Sequence, residues 1–202
     1  MKLRKFIKMY KKYIKGILDF VISLIGLFLL LPFFLIIAIA IKITSKGKIF
    51  FLQERLGKNG KVFNIIKFRT MIPNAEKIGD GLTIKSENDS RITKVGKILR
   101  KTSLDELPQL INVLKGEMSL IGPRPPVTYF PYKYEKYTKK QKLRFSVKPG
   151  ITGLAQVKVR NNATWDERIK IDIEYVNNIT FLQDIKIVFL TVKEVLFPKN
   201  MY

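Results

Sequence analysis

Two carboxylates stand side by side in Thr102-Ser103-Leu104-Asp105-Glu106-Leu107-Pro108-Gln109-Leu110, and the rigid run Ile121-Gly122-Pro123-Arg124-Pro125-Pro126 follows them. Apolar residues recur from Leu104 through Leu107, Leu110, Ile111 and Leu114, the spacing of one helix face, and Gly116 supplies a stop. The helix has two readable starts. Ser103 with Glu106 forms a capping box that strands Pro108 beyond the first turn, or Asp105 or Glu106 is the cap and Pro108 falls inside it. Either start puts both acids at the positive end of the helix dipole, which favours their ionised forms and draws in phosphate or metal-bound phosphate. They point in different directions, so their roles should differ. The bland alternative is that they only cap a helix. Prolines around Arg124 fix the backbone φ and hold the guanidinium at low entropic cost, as a phosphate fork or simply as a rigid turn.

What the chain lacks narrows the chemistry. Without Cys it has no thiolate nucleophile and no disulfide; without His it has no imidazole base and no His-ligated metal. Catalysis must use carboxylates, Lys, Arg, Tyr or an oxygen-ligated ion such as magnesium. Lys and Arg number 38 against 16 Asp and Glu, a net charge of +22 in 202 residues, so the partner is anionic: nucleic acid or an acidic membrane surface.

The elements that would carry these residues begin with a basic arm, residues 1–15, suited to anionic headgroups. Phe20 to Ile41 carries no charge, and as a helix these 22 residues would reach about 33 Å, enough for a bilayer core. Both flanks are basic and Pro32 lies near the middle, so the reading favoured over a simple span is a re-entrant helix-break-helix hairpin, residues 16–43, with Pro32 as the break. Residues 44–202 then form a cytosolic and interfacial domain. Lys48–Gln53 and Lys61–Phe68 around Asn59-Gly60 predict a β-hairpin. Lys67 and Arg69 share a face of its second strand, where two cations suit a diphosphate or merely protect a sheet edge. A polar connection from Ile72 to Asp89 precedes a basic amphipathic helix over Arg91–Leu99. Tyr129 to Phe145 mixes tyrosines with lysines, as an interfacial helix or a stacking surface for single-stranded nucleic acid would. Lys148 to Asn161 reads as a glycine-punctuated turn and a strand carrying Arg160, and Trp165–Asn177 and Leu182–Phe197 as amphipathic helices. The stripe Ile185, Val188, Phe189, Val192 and Leu196 faces either core or lipid. The fold class is α+β, mostly helical.

Several stretches together resemble the bacterial sugar transferases, the monotopic phosphoglycosyl transferases of the small single-domain type. They are the proline-broken apolar segment, Lys67-Phe68-Arg69-Thr70-Met71, Arg91-Ile92-Thr93, Thr102 to Leu110, Gly122-Pro123-Arg124-Pro125, and Lys148-Pro149-Gly150-Ile151-Thr152-Gly153-Leu154-Ala155-Gln156-Val157. The resemblance covers nearly the whole chain. It implies transfer of a sugar phosphate from a UDP-sugar to undecaprenyl phosphate with release of UMP, on the cytoplasmic face of the bacterial inner membrane. It further implies that Asp105 attacks the β-phosphate to form a covalent phosphosugar intermediate, with magnesium assisting at Asp105 and Glu106. Substrate contacts are implied for Lys67, Arg69, Arg100, Pro123, Arg124, Pro125, Gln156 and Arg160. The chain departs from the family at Leu31-Pro32, where Ser-Pro is common, and at Lys158-Val159-Arg160, where Asn-Gly-Arg is common.

The chemistry agrees with the resemblance. Phosphoryl transfer asks for a nucleophile, a metal and cations around the phosphate oxygens, and a membrane segment brings a lipid-borne phosphate to a soluble donor. Anionic phospholipid is an expected partner; downstream glycosyltransferases and a second copy of the chain are compatible ones; nucleic acid is not expected. The competing readings are a membrane-tethered nucleic-acid binder and a scaffold for other membrane enzymes. The transferred sugar cannot be read from spacing.

Overall fold

In the computed structural model, residues 2–75, 78, 89–159 and 163–197 are described. The chain opens with α1 (Lys2–Met9), a π-helical turn at Tyr10–Ile14 and α2 (Lys15–Thr44). Pro32 lies inside α2, so the expected two helices with a break between them are a single helix. The proline removes one ladder hydrogen bond, but packing of the inner face against Leu110, Phe68 and Leu99 keeps the helical path.

One side of this helix is bare and apolar, with Phe28, Leu29, Phe33, Ile36 and Ile43 exposed. The other side is held along its whole length by the rest of the chain. Near its start the Asp19 carboxylate accepts from the Ser119 hydroxyl at 2.7 Å and the Leu120 amide at 3.1 Å. Tyr10 and Lys15 both donate to Asp184, at 2.6 and 2.8 Å. In its middle Gly26 lies against Leu110, and towards its end Phe34 and Ile41 are buried with Phe68 and Leu99.

The predicted hairpin is present as β1 (Phe50–Leu56) and β2 (Val62–Phe68), antiparallel with Phe50 opposite Phe68 and Leu56 opposite Val62. Asn59 (φ 55°) and Gly60 (φ 78°) supply the positive φ expected at its turn. Then α3 (Lys94–Lys101) is capped by Thr93, whose side chain accepts from the Gly96 amide. Gly96 is required by proximity: a Cβ there would lie 2.0 Å from the Thr70 carbonyl oxygen.

The helix carrying Leu110 and Val113, α4, spans only Gln109–Leu114. β3 (Ser119–Ile121) pairs in parallel with β4 (Gly150–Thr152), an association of two three-residue strands not anticipated from sequence. The strand expected to run to Asn161 ends at Thr152, and α6 (Leu154–Val159) replaces its remainder. Leu154-Ala155-Gln156 favours helix once the Gly122–Gly150 contact has closed the strand pair.

Tyr129 to Phe145 is not one interfacial helix. It contains a 3-10 turn at Tyr134–Lys136, the short α5 (Lys139–Lys142) and a second 3-10 turn from Leu143. Its aromatic residues face one another: Tyr132 meets Tyr137 edge-on at 5.4 Å, and Tyr134 meets Phe145 at 5.4 Å, around the buried Leu56 and Ile169. Those four rings therefore pack as core, while Tyr129 and Phe130 stay exposed.

The last two helices stand as predicted: α7 (Trp165–Asn177), with a capping box between Thr164 and Glu167, and α8 (Phe181–Leu196). α8 buries Asp184 and Ile187 and leaves Leu182, Phe189, Val192 and Leu196 on the outside, so its apolar stripe is not core. Most of the polar connection from Ile72 to Asp89, and Arg160, lie outside the described residues.

Candidate active site

The paired acids occupy a 3-10 turn, Leu104–Glu106, entered through Ser103 in the left-handed region (φ 57°). Ser103 makes no capping bond, and Pro108 directly precedes α4. The acids therefore lie one turn ahead of that helix. Pro108 sets this start: it cannot donate to the ladder, so the regular helix begins after it.

The expectation that both acids are favoured in ionised form fails for one of them. Asp105 is buried, and burial pushes its carboxyl up to about 6 against the opposing pull of Lys67; Glu106 adds to the rise, while Arg100 and Arg124 oppose it. Glu106 moves the other way. Burial raises it most, but the charges of Lys67 and Arg124 and the hydrogen bonds from both outweigh that and hold it well below the usual range. Glu106 Oε1 accepts from Lys67 Nζ at 2.5 Å and from Arg124 Nη2 at 3.2 Å. Burial in turn lowers the Lys67 ammonium, with Glu106 working against it.

Around the acids opens a cavity of about 1210 Å³. Lys67, Arg69, Arg100, Asp105, Glu106, Arg124 and Gln156 all line it, which brings together residues from β2, α3, the 3-10 turn, the proline loop and α6. Their engagements differ. Arg100 Nε donates to the Thr70 hydroxyl at 2.8 Å. Arg69 donates to the carbonyls of Ser45 and Lys46 and so caps the end of α2. Gln156 Nε2 donates to the Ile151 carbonyl at 3.0 Å. Pro123 and Pro125 do not line the cavity. They act through their backbone: Pro123 O accepts from Gly150 N at 3.0 Å, and Pro125 O from Arg55 Nη1 at 3.0 Å.

One buried pair escaped sequence reasoning. Arg144 donates to Asp172 Oδ2 through Nε (3.0 Å) and Nη2 (2.6 Å), and the same Nη2 reaches the Arg124 carbonyl at 2.9 Å. Burial raises the Asp172 carboxyl, and Arg144 opposes that rise. The proline loop is thus gripped by an arginine from each side. A signal existed: Asp172 shares a face of α7 with Ile169, Ile173 and Val176, and an acid on an apolar face needs a buried cation.

Magnesium characteristically takes one or two carboxylates and completes its shell with phosphate and water oxygens. Asp105 and Glu106 fit that minimal set. Asp105 is a carboxylate whose charge burial resists and a cation would favour, and Glu106 commits Oε1 but not Oε2 to protein partners. Among the described residues no group of three or more acids gathers anywhere, this pair included.

Residues 10–198 match the family model described as bacterial sugar transferase. The chain belongs to that family. It is 46% identical to a galactosyl transferase, CpsE, of Streptococcus agalactiae serotype III over 95% of this chain and 44% of that protein. It is 42% identical to a UDP-glucose:undecaprenyl-phosphate glucose-1-phosphate transferase of Klebsiella pneumoniae, over 93% of this chain and 41% of the relative. The chain thus spans less than half the length of these two relatives. With the exopolysaccharide production protein ExoY of Sinorhizobium fredii it shares 37% identity over 91% of this chain and 86% of that protein. The bacterial sugar transferase match takes in every cavity-lining residue named above.

Proposed function

We propose that the chain is a phosphoglycosyl transferase that moves a sugar 1-phosphate from a UDP-sugar to a polyprenyl phosphate and releases UMP. The observation that carries this reading is Asp105: a buried carboxyl tuned to about 6, facing a cavity that Lys67, Arg100 and Arg124 also line. Near-neutral tuning leaves most of it ionised at pH 7 yet weakly solvated, the state in which a carboxylate attacks.

The steps balance as two displacements at one phosphorus. An Asp105 oxygen bonds to the β-phosphorus, and the bond from that phosphorus to the bridging oxygen breaks with its electron pair, leaving as UMP. A phosphate oxygen of the lipid acceptor then attacks the same phosphorus, and the electrons of the Asp105–phosphorus bond return to the carboxylate. The sugar–oxygen bond is untouched throughout. Arg124 and Arg100 hold the phosphate oxygens, and Lys67 sits where negative charge accumulates. Asp105 and the free oxygen of Glu106 would hold a magnesium ion, which offsets the repulsion between an anionic nucleophile and an anionic substrate. Relatives are named for different sugars, glucose and N-acetylgalactosamine among them.

The proposed membrane placement draws its support from α2. A single body of protein grips that helix from Tyr10 to Ser45, at both ends and in the middle. A helix crossing the bilayer alone would leave one end on the far side, whereas a helix dipping into one leaflet keeps both basic flanks on the same face. The outward stripe of α8 suits the same surface. These features support a re-entrant segment and an active site at the cytoplasmic face of a bacterial inner membrane.

The test is the intact mass of the protein in nanodiscs with magnesium after exposure to a panel of UDP-sugars without acceptor. One donor should leave an adduct of one sugar phosphate that undecaprenyl phosphate discharges and that Asp105→Asn never forms. Acceptor-dependent UMP release without any adduct in a millisecond quench would overturn the covalent step, and silence across the panel would overturn the transferase reading.

A further inference from the structure

Arg168 is a guanidinium of this cavity that the reaction above does not employ. It lies in the first turn of α7 and lines the cavity together with Arg124 and Asp105. Its Nε is buried without a hydrogen-bond partner, and among the described residues no carboxylate forms an ion pair with it. Its close neighbour is an indole: the guanidinium carbon stands 5.4 Å from the centre of the Trp165 ring, which is braced edge-on by Phe130 at 6.0 Å.

Apart from the indole, that setting is unfavourable for an isolated cation. Burial disfavours its charge, and so does the Arg124 charge beside it. Asp172, the one attractive charge in range, already accepts both hydrogen bonds from Arg144. The first turn of a helix is also the wrong end of its dipole for a cation. The other arginines along this wall have partners: Arg69 the end of α2, Arg100 a hydroxyl, Arg124 a carboxylate, Arg144 a buried aspartate. Stacking on indole, meanwhile, holds a guanidinium flat and preorganised without using its donors.

We propose that Arg168, stacked on Trp165, forms with Arg124 a second anion-binding station in the cavity, whose ligand is a phosphate group apart from the one attacked by Asp105. Two phosphates carry that chemistry: the nucleotide phosphate that leaves as UMP, and the phosphate of the lipid acceptor. Naming these two sources rests on the transferase reading; the anion station itself rests only on the geometry of Arg168.

The chain holds a single tryptophan, so its emission reports on this station directly. Inorganic pyrophosphate titrated into the full-length protein in nanodiscs should shift the emission of Trp165 saturably. Arg168→Met should weaken that binding about ten- to a hundred-fold, the usual cost of one charge-assisted phosphate contact, and Arg168→Lys by less. Unchanged melting of Arg168→Lys without ligand would confirm that the loss is not one of folding. Two further arms separate the sources: a raised half-saturating donor concentration for adduct formation assigns the nucleotide phosphate, and a raised half-saturating acceptor concentration for discharge assigns the lipid phosphate. Identical pyrophosphate titrations in wild type and Arg168→Met, with both half-reactions unmoved, would overturn the station while leaving the transferase reading intact. Arg168-dependent pyrophosphate binding without any adduct from any donor would do the reverse.

Discussion

Asp105 and Glu106 are sequence neighbours whose proton affinities are driven apart. A carboxyl raised in the fold stabilises the protein when protonated. That contribution is full below the unfolded value near 3.9 and is lost as pH rises through about 6. Asp105→Asn should therefore be more stable than wild type at pH 7.5, by about 1–3 kcal/mol, and no more stable at pH 4; melting curves at the two pH values check it. The same titration should govern chemistry, so the rate of adduct formation should fall about tenfold per unit as pH drops below about 6. A flat rate from pH 7.5 to 5 would show that the Asp105 carboxyl is not raised in the reacting enzyme. Glu106 behaves as the opposite case, a carboxylate already neutralising Lys67 and Arg124, so the diphosphate of the proposed donor would exchange with it instead of meeting bare cations. At this scale the sequence was informative where residue type and chemistry coincide: Asp105, Glu106, Lys67, Arg100, Arg124 and Gln156 converge on one cavity. Arg144 and Arg168 went unread because their meaning depends on Asp172 and Trp165, partners supplied by tertiary packing.

The spacing between elements depends on contacts with no room for a side chain. α3 lies so close to the end of β2 that Gly96→Ala would drive a methyl group into the Thr70 carbonyl. The helix must then shift, carrying Arg100 away from the Thr70 hydroxyl. We expect a loss of about 1–3 kcal/mol by chemical denaturation, together with a raised KM for donor. An equal stability loss with KM unchanged would show that α3 does not position Arg100. The hairpin was legible beforehand because Asn59-Gly60 and the β-branched runs act locally. The pairing of β3 with β4 was not, since two three-residue strands distant in sequence carry no periodicity to read. Nor was the Tyr129–Phe145 cluster: tyrosines and lysines in that density are compatible with an interface, and only the hairpin lying over Tyr134 turns the rings inward.

For the molecule as a whole, α2 carries the prediction about topology. Because the chain has no cysteine, Lys8→Cys and Lys46→Cys each introduce a unique label on either side of the helix, both at exposed positions. A membrane-impermeant maleimide should leave both unlabelled in intact spheroplasts and label both after permeabilisation; labelling of just one before permeabilisation would establish a span. Hydropathy made this helix plain from sequence, but Pro32 was read as an interruption, since local propensity does not register support from Leu110, Phe68 and Leu99 on its inner side. That two-sided helix has a thermodynamic consequence. Its inner face closes part of the hydrophobic core while its outer face is exposed and apolar, so on the membrane reading proposed above a bilayer would act on the folding equilibrium as a ligand that binds only the native state. Stability then becomes a function of lipid supply, and Tm should climb as the lipid-to-protein ratio is raised at constant detergent.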